Sequence, residues 1–201
     1  MTTRLTRRRA LTMLGAGGVA ITAAACGGGS KKTSAKASTT TSSFTTTASD
    51  AKTCVLAPEM TEGPYYISGE EVRTDITEGH PGTPLRLALT VVDVTTCAPI
   101  PNAMIDVWHA DAGGNYSGFG STSSNRTFLR GRQVTDASGK AGFTTIYPGW
   151  YQGRATHIHL KVHAGGNAVH TGQLFFDETV TEAVYATSPY NARRGTWLRN
   201  R

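Results

Sequence analysis

Apolar and polar residues alternate along several short stretches of the chain. The stretch LRLALTVVDV at residues 85–94 places its larger aliphatic side chains on one face, because successive side chains of a β-strand point in opposite directions. Turn-forming residues separate it from other stretches of similar pattern. The further predicted strands are residues 103–110, 141–147, 157–164 and 171–177. Only residues 179–187 suggest a short helix, so the pattern predicts an all-β sandwich.

The first 26 residues have a different pattern from the rest of the chain. Four arginines are followed by small and apolar residues and then by Ala-Ala-Ala-Cys, an arrangement typical of a signal peptide. Arg7-Arg8 resembles a twin-arginine signal, and the segment ending at Cys26 resembles a lipobox whose cysteine becomes lipidated. The alternative is cleavage near Ala25. We therefore predict an exported protein, either a cell-envelope lipoprotein held on the membrane by a lipid at Cys26 or a secreted protein.

Residues 27–52 consist almost wholly of Gly, Ser, Thr, Ala and Lys, so they are predicted to be a flexible tether between the leader and a folded domain at 53–201. The leader and tether also explain the formal net charge of +6, since eight of the 20 Lys and Arg residues precede Cys54. From Cys54 onward the balance is about −1. The basic composition therefore does not indicate nucleic acid as a partner.

Two cysteines remain once Cys26 is assigned to the lipid. Cys54 and Cys97 form an even pair in a chain predicted to leave the reducing cytoplasm, which favours a disulfide between them. The alternative is that both are buried thiols that pack as small apolar groups.

His157 and His159 stand two residues apart in the predicted strand RATHIHLKV. Side chains at this spacing share one face, so the two imidazoles can reach a common metal ion, although a strand with one solvated face would also explain them. Tyr116 and Tyr151 lie in loops next to predicted strands, where sites are commonly built. A single tyrosine is more often a packing residue with its hydroxyl at the surface.

Four motifs, in order along the chain, resemble the intradiol ring-cleavage dioxygenases, in particular their extracytoplasmic and often lipid-anchored branch. The resemblance extends from Cys54 to about Tyr190. With the strand pattern, it implies an immunoglobulin-like β-sandwich whose long loops carry the site. The motifs are TEGPYY at 61–66, PIPNAMIDVWHADAGGNYSGF at 99–119, PGWYQGRATHIHLKV at 148–162 and GQLFF at 172–176.

The resemblance also implies a cofactor and a reaction. It implies a non-haem Fe(III) held by Tyr116, Tyr151, His157 and His159, and phenolate oxygens do favour the ferric state. The implied substrates are a catechol and O2, and the implied product is a cis,cis-muconate-type dicarboxylate. Tyr151 is expected to leave the metal and accept a substrate proton. The further residues expected to act in catalysis, by orientation and charge stabilisation, are Arg154 and Gln173.

The sequence leaves one rival function open, a metal-free extracytoplasmic β-sandwich that only binds a ligand. A cupin site is disfavoured, because the positions where a cupin supplies glutamate hold His163 and Ala164. His163, together with His109 and His170, is assigned to the surroundings of the site or to the surface, and residues 61–72 are expected to line the substrate pocket. The resembling family commonly continues beyond the segment that matches residues 188–194, so we expect the last sheet strand to be missing.

Overall fold

The computed structural model describes residues 54–200, and the predicted leader, tether and lipidation site at Cys26 lie outside these residues. Strands dominate the described part of the chain, and the helices in it are short. In chain order the elements are β1 (Pro84–Thr90), β2 (Met104–Trp108), α1 (Gly120–Ser123), β3 (Arg130–Val134), β4 (Lys140–Ile146), β5 (His157–Ala164), β6 (Asn167–Phe175), α2 (Glu178–Tyr185) and a 3-10 helix (Tyr190–Ala192).

Two antiparallel sheets pack face to face. One contains β1 and β4, and the other has the strand order β3-β2-β5-β6. The apolar side chains of the inner faces meet in a core centred on Ile105, Val107, Phe143 and Ile158, which are all almost completely buried. Leu85, Leu87 and Leu89 of β1 pack against this core from the two-stranded sheet. The predicted all-β sandwich is therefore confirmed.

Most predicted strands are present, with shifted ends. The strand predicted at 171–177 is β6, which begins at Asn167, and the helix predicted at 179–187 is α2. A turn at Gly165 and Gly166, both with positive φ, joins β5 to β6. At the start of α2, the Asp177 carboxylate accepts a hydrogen bond from the backbone N–H of Thr179, as N-cap residues do.

The sequence analysis missed β3, because charged residues occupy its outward positions. Arg130 is nevertheless only 1% exposed. Its guanidinium donates hydrogen bonds to the backbone oxygens of Tyr65 and Ser117 at 2.6 Å and lies 3.5 Å from the Glu70 carboxylate. A buried charge is tolerated where it is paired and hydrogen-bonded in this way. An apolar–polar pattern does not reveal such a strand.

A disulfide joins Cys54 to Cys97 in the structure, with a Cα–Cα distance of 5.6 Å. It attaches the start of the described chain to the turn between β1 and β2. Within residues 54–200, no helix has the length and apolar character needed to cross a membrane.

Candidate metal centre

The candidate site lies on the outer face of the four-stranded sheet, away from the core. Alternation along β5 points His157 and His159 outward, while Ile158 between them faces the core. Although they point outward, the two histidines are only 2% and 1% exposed, because the loops described below cover this part of the sheet. The β-sheet register places Trp108 on one side of His159 and Gln173 on the other.

Three side-chain atoms meet at one point above this face. Tyr151 Oη lies 3.0 Å from His157 Nε2, which lies 3.0 Å from His159 Nε2. His157 Nδ1 is 2.6 Å from the backbone oxygen of Ala155, to which it can only donate, so the Nε2 lone pair faces the site. Burial lowers the pKa of His157 to about 4 and that of His159 to about 3. Both rings are therefore neutral near pH 7, the state in which imidazole binds metals.

Tyr116 completes the cluster from the loop that follows β2. Its ring stacks on Tyr65, with centroids 4.2 Å apart, and meets the Tyr151 ring edge-on at 5.6 Å. Tyr116 Oη is buried and has no hydrogen-bond partner among residues 54–200. Burial raises the pKa of Tyr116 well above its usual range, and the neighbouring Tyr151 raises it further. Burial also raises the pKa of Tyr151. Both phenols thus stay protonated unless a strong positive charge lies close to them.

These four side chains fit a ferric ion. Among the described residues, no group of three or more His, Cys, Asp or Glu side chains is arranged to hold a metal ion, so a metal here depends on the tyrosines. Two phenol oxygens, which are hard anionic donors once deprotonated, and two neutral imidazole nitrogens form a donor set suited to Fe(III). A metal ion would also give the unpartnered Tyr116 oxygen a partner. The structure therefore brings together all four predicted ligands: Tyr116, Tyr151, His157 and His159.

Arg154 and Gln173 lie next to this cluster and contact each other. Arg154 Nη2 donates a hydrogen bond to Gln173 Oε1 at 2.5 Å, and Gln173 Nε2 donates to the backbone oxygen of Thr61 at 2.8 Å. Gln173 is buried, whereas Arg154 is half-buried. The glutamine thus links the arginine to the loop before β1 and limits the positions that its guanidinium can take.

Two residues of the TEGPYY motif lie against the cluster, and the sequence analysis named them only as part of the pocket lining expected at residues 61–72. Gly63 has φ +70°, and a Cβ atom there would lie 3.4 Å from His159 Cε1, so the backbone approaches the imidazole closely. The Tyr65 ring stacks on the Tyr116 ring and covers one side of the cluster. Arg130 holds the Tyr65 backbone in place, because its guanidinium donates a hydrogen bond to the Tyr65 backbone oxygen. Both residues fall within residues 61–72, the segment that the sequence analysis expected to line the pocket.

A second polar group on the same face holds this loop in place. Asp106 is fully buried and accepts hydrogen bonds from Tyr66 Oη at 2.8 Å and from the Arg132 guanidinium. His163 Nε2 lies 3.1 Å from the same carboxylate. The hydrogen bonds to Arg132 and Tyr66 keep the pKa of Asp106 below its usual range despite its burial. This carboxylate therefore ties the TEGPYY loop to the sheet.

His109 and His170 do not belong to the outer face. His109 is fully buried, with Nδ1 2.9 Å from the backbone oxygen of Ala110 and Nε2 2.7 Å from Thr145 Oγ1 of β4. Of the two places predicted for His109, the surface is wrong, because the side chain crosses the interior and bonds to the opposite sheet. It lies close enough to His157 and His159 to interact electrostatically with them, which agrees with the other prediction, the surroundings of the site. His170 points to the inner face of β6, opposite Val162.

The family model described as Dioxygenase matches residues 61–188. Among solved structures, the intradiol ring-cleavage dioxygenase from Tetranychus urticae is 40% identical in sequence, with a TM-score of 0.71. That match covers 73% of this chain and 77% of the other.

Curated relatives include the chlorocatechol 1,2-dioxygenase of Rhodococcus opacus, 29% identical over 144 residues, and the catechol 1,2-dioxygenase of Acinetobacter baylyi, 32% identical over 141 residues. These matches cover 62% and 58% of this chain. They span only 56% and 45% of the relatives, so the chain matches about half the length of those proteins.

Proposed function

Because this chain belongs to the intradiol ring-cleavage dioxygenase family, we propose that it is an Fe(III) enzyme that opens a catechol-type aromatic with O2. The bond between the two hydroxylated ring carbons breaks, and both atoms of O2 enter a cis,cis-muconate-type dicarboxylate. The observation that carries the proposal is the meeting of Tyr151 Oη with the Nε2 atoms of His157 and His159. The relatives named as catechol and chlorocatechol dioxygenases support the substrate class.

Tyr116, Tyr151, His157 and His159 would hold the iron. When bound, the ferric ion supplies Lewis-acid chemistry that makes a coordinated catecholate reactive toward O2. Two phenolates and two neutral imidazoles leave one net positive charge on the centre, which favours an anionic substrate. The burial of His157 and His159 maintains this balance, because it keeps both rings neutral.

In this proposal, Tyr151 accepts a substrate proton. It is half-buried, whereas Tyr116 is 5% exposed and its ring is stacked on Tyr65, so Tyr151 has more freedom to move when substrate arrives. A phenolate whose pKa is raised by burial is a strong base near neutral pH. Its Oη can therefore take a proton from a catechol hydroxyl and hold it while the dianion reacts.

Arg154 supports the reaction through its charge. Its guanidinium lies beside the cluster and is oriented by Gln173, which is itself anchored on Thr61. A fixed cation at this position stabilises negative charge that develops on the ring oxygens, and it has no need to reorganise during the reaction. Gln173 acts through Arg154 and is a positioning residue.

The rival function of a metal-free binding module is not favoured. The proteins that this chain resembles are named as dioxygenases. A ligand-binding sandwich also has no need of a tyrosine and two histidines whose side-chain atoms meet at one point, with the ring of a second tyrosine beside them.

The reaction is tested by supplying the iron-loaded protein with catechol and ¹⁸O₂. The expected product is a dicarboxylate that carries both labelled oxygen atoms. A panel of substituted catechols and hydroxyquinol under the same conditions gives the substrate range. Product with one labelled atom, or no oxygen uptake with any member of the panel, would contradict the proposal.

The sequence also supports export and lipid attachment, which we include in the proposal. The Cys54–Cys97 disulfide agrees with an oxidising compartment. Mass spectrometry of the mature N-terminus should find a diacylglycerol on Cys26, and Cys26→Ser should release the protein from the membrane fraction. An unmodified N-terminus near Ala25 would instead identify a secreted protein.

A further inference from the structure

Tyr116 and Tyr151 reach the candidate metal centre from two separate loops, and the backbones of these loops touch each other. The Gly149 N–H donates a hydrogen bond to the backbone oxygen of Asp111 at 3.1 Å. A Cβ atom at Gly149 would collide with the same oxygen, so only glycine permits this approach. The distance between the two tyrosines therefore depends on how one loop lies against the other.

Arg193 joins the same two loops at a second place. Its Nη1 donates hydrogen bonds to the backbone oxygens of Gly113 and Trp150. One guanidinium nitrogen carries two hydrogen atoms, so it can serve both acceptors. Gly113 lies three residues before Tyr116, and Trp150 directly precedes Tyr151. The arginine thus connects the backbone near one proposed iron ligand with the backbone next to the other.

The packing around the guanidinium fixes its position. It lies over the ring of Trp150, with 4.0 Å between the guanidinium carbon and the ring centroid, and that tryptophan is buried. Gly114 has φ +82°, and a Cβ atom there would collide with Arg193 Nη1 and with the Trp150 backbone oxygen. The loop that carries Tyr116 is therefore shaped to receive this side chain.

The segment that carries Arg193 has its own attachment to the core. Tyr190 is 3% exposed, and its Oη donates a hydrogen bond to the backbone oxygen of Tyr147 at 2.6 Å and accepts one from the Thr83 N–H at 3.1 Å. These bonds do not involve the guanidinium, so the segment should keep its place when Arg193 is replaced. The family model ends at residue 188, so Arg193 lies beyond the residues that the model matches.

We propose that Arg193 is a positioning residue for the reaction, which fixes the two tyrosine loops relative to each other and so keeps both phenol oxygens within reach of one metal ion. The inference rests on the proposed function. Arg193 acts through the backbones of the loops and has no need to touch substrate. A fixed Trp150 backbone lets the Tyr151 side chain move while its loop stays in place. Displacements of about 1 Å can slow an enzymatic reaction about a hundredfold, so this role should be measurable.

The test uses two substitutions of Arg193 and a matched control. Arg193→Met keeps the length of the side chain and removes its donors, whereas Arg193→Lys keeps a cation and donors without the planar guanidinium. In the iron-loaded protein, Arg193→Met should lower kcat for catechol about tenfold to a hundredfold, with a smaller change in KM, and should shift the tyrosinate-to-iron absorption. Arg193→Lys should recover part of both. Arg194→Met removes the same charge at an exposed neighbour and should match the wild type.

Hydrogen–deuterium exchange of the iron-free proteins tests the role of Arg193 without the reaction. Amides of residues 111–116 and 149–153 should exchange faster in Arg193→Met and at the wild-type rate in Arg194→Met. A wild type that cleaves no catechol would contradict the proposed function, whereas the exchange rates report on Arg193 alone. The inference would be overturned by unchanged exchange in either loop, by equal effects of Arg193→Met and Arg194→Met, or by a loss of thermal stability with unchanged kcat and absorption.

Discussion

His109 and the pair His157 and His159 lie on opposite sides of the four-stranded sheet and use the same residue type in opposite ways. On the inner face, both ring nitrogens of His109 lie within hydrogen-bond distance of protein oxygens, those of Ala110 and Thr145. On the outer face, the Nε2 atoms of His157 and His159 lie 3.0 Å from each other. An imidazole whose bonds are all satisfied holds two elements together, whereas lone pairs aimed at one point suit a shared ion. The direction of the nitrogens, more than burial, therefore distinguishes structural from functional histidines.

The largest expected effect comes from Tyr151 on the outer face. Tyr151→Phe should lower turnover of catechol about 10²-fold to 10⁴-fold, because the hydroxyl that accepts the substrate proton is gone. Iron should remain, held by the other three ligands. Tyr147→Phe is the matched control, since Tyr147 Oη bonds to Thr181 in a separate cluster. Steady-state kinetics measure the turnover of both variants, and metal analysis measures their iron content. Full activity in Tyr151→Phe would exclude Tyr151 from the mechanism.

Ile158 lies on the inner face of β5, and Ile158→Ala should lower stability without changing activity. Ile158 is fully buried in the core, so the truncation should lower the free energy of unfolding by about 2–5 kcal/mol. Denaturant titration measures the loss, and activity per folded molecule should stay near that of the wild type. A selective loss of activity without loss of stability would show that the two faces are not separable.

The burial of His109 should make the free energy of unfolding depend on pH. Burial lowers its pKa to about 4, so between the unfolded value near 6.5 and about 4 the unfolded chain binds a proton that the folded chain does not. Stability is therefore lost as the pH falls through this window. The His109 contribution should be about 2 kcal/mol between pH 7 and pH 5. Chemical denaturation of the wild type and His109→Gln at both pH values measures this contribution. The free energy of unfolding should change less with pH in the variant, and an equal change in both proteins would contradict the prediction.

The smallest effect is expected at Gln173. Gln173→Leu removes the hydrogen bonds to Arg154 and to the Thr61 backbone, so kcat/KM should fall about tenfold through loss of one oriented interaction. Thr171→Val, at the next outward position of β6, is the control and should change kcat/KM by less than about twofold. Equal effects of the two substitutions would mean that Gln173 does not position Arg154.

Alternation alone predicted β5 and the shared face of His157 and His159, because their spacing follows directly from strand geometry. Tyr116 and Tyr151 lie 35 residues apart in separate loops. Only the resemblance to a known family connected them to the histidines, since loop conformation depends on tertiary contacts that local pattern does not encode.

Arg130 shows why part of the fold was missed. A charged residue at position 130 is typical of a solvated loop, so the sequence pattern did not predict β3. In the structure, however, Arg130 is buried against Glu70 and the backbone of Tyr65. The inward direction of His109 has a similar origin, since its hydrogen bond to Thr145 joins two sheets whose packing the sequence does not specify. Buried polar pairs are formed by the fold and cannot be read from hydrophobicity.

The most direct test of the metal centre is the iron content and visible spectrum of the purified protein beside Tyr116→Phe. The wild type should bind one ferric ion per chain and show the burgundy colour of tyrosinate-to-iron charge transfer. Tyr116→Phe should retain iron poorly and lose most of that absorption, while its unfolding curve shows a folded protein. A colourless wild-type protein that retains no iron after loading, or a variant with the same iron content and spectrum as the wild type, would contradict the assignment.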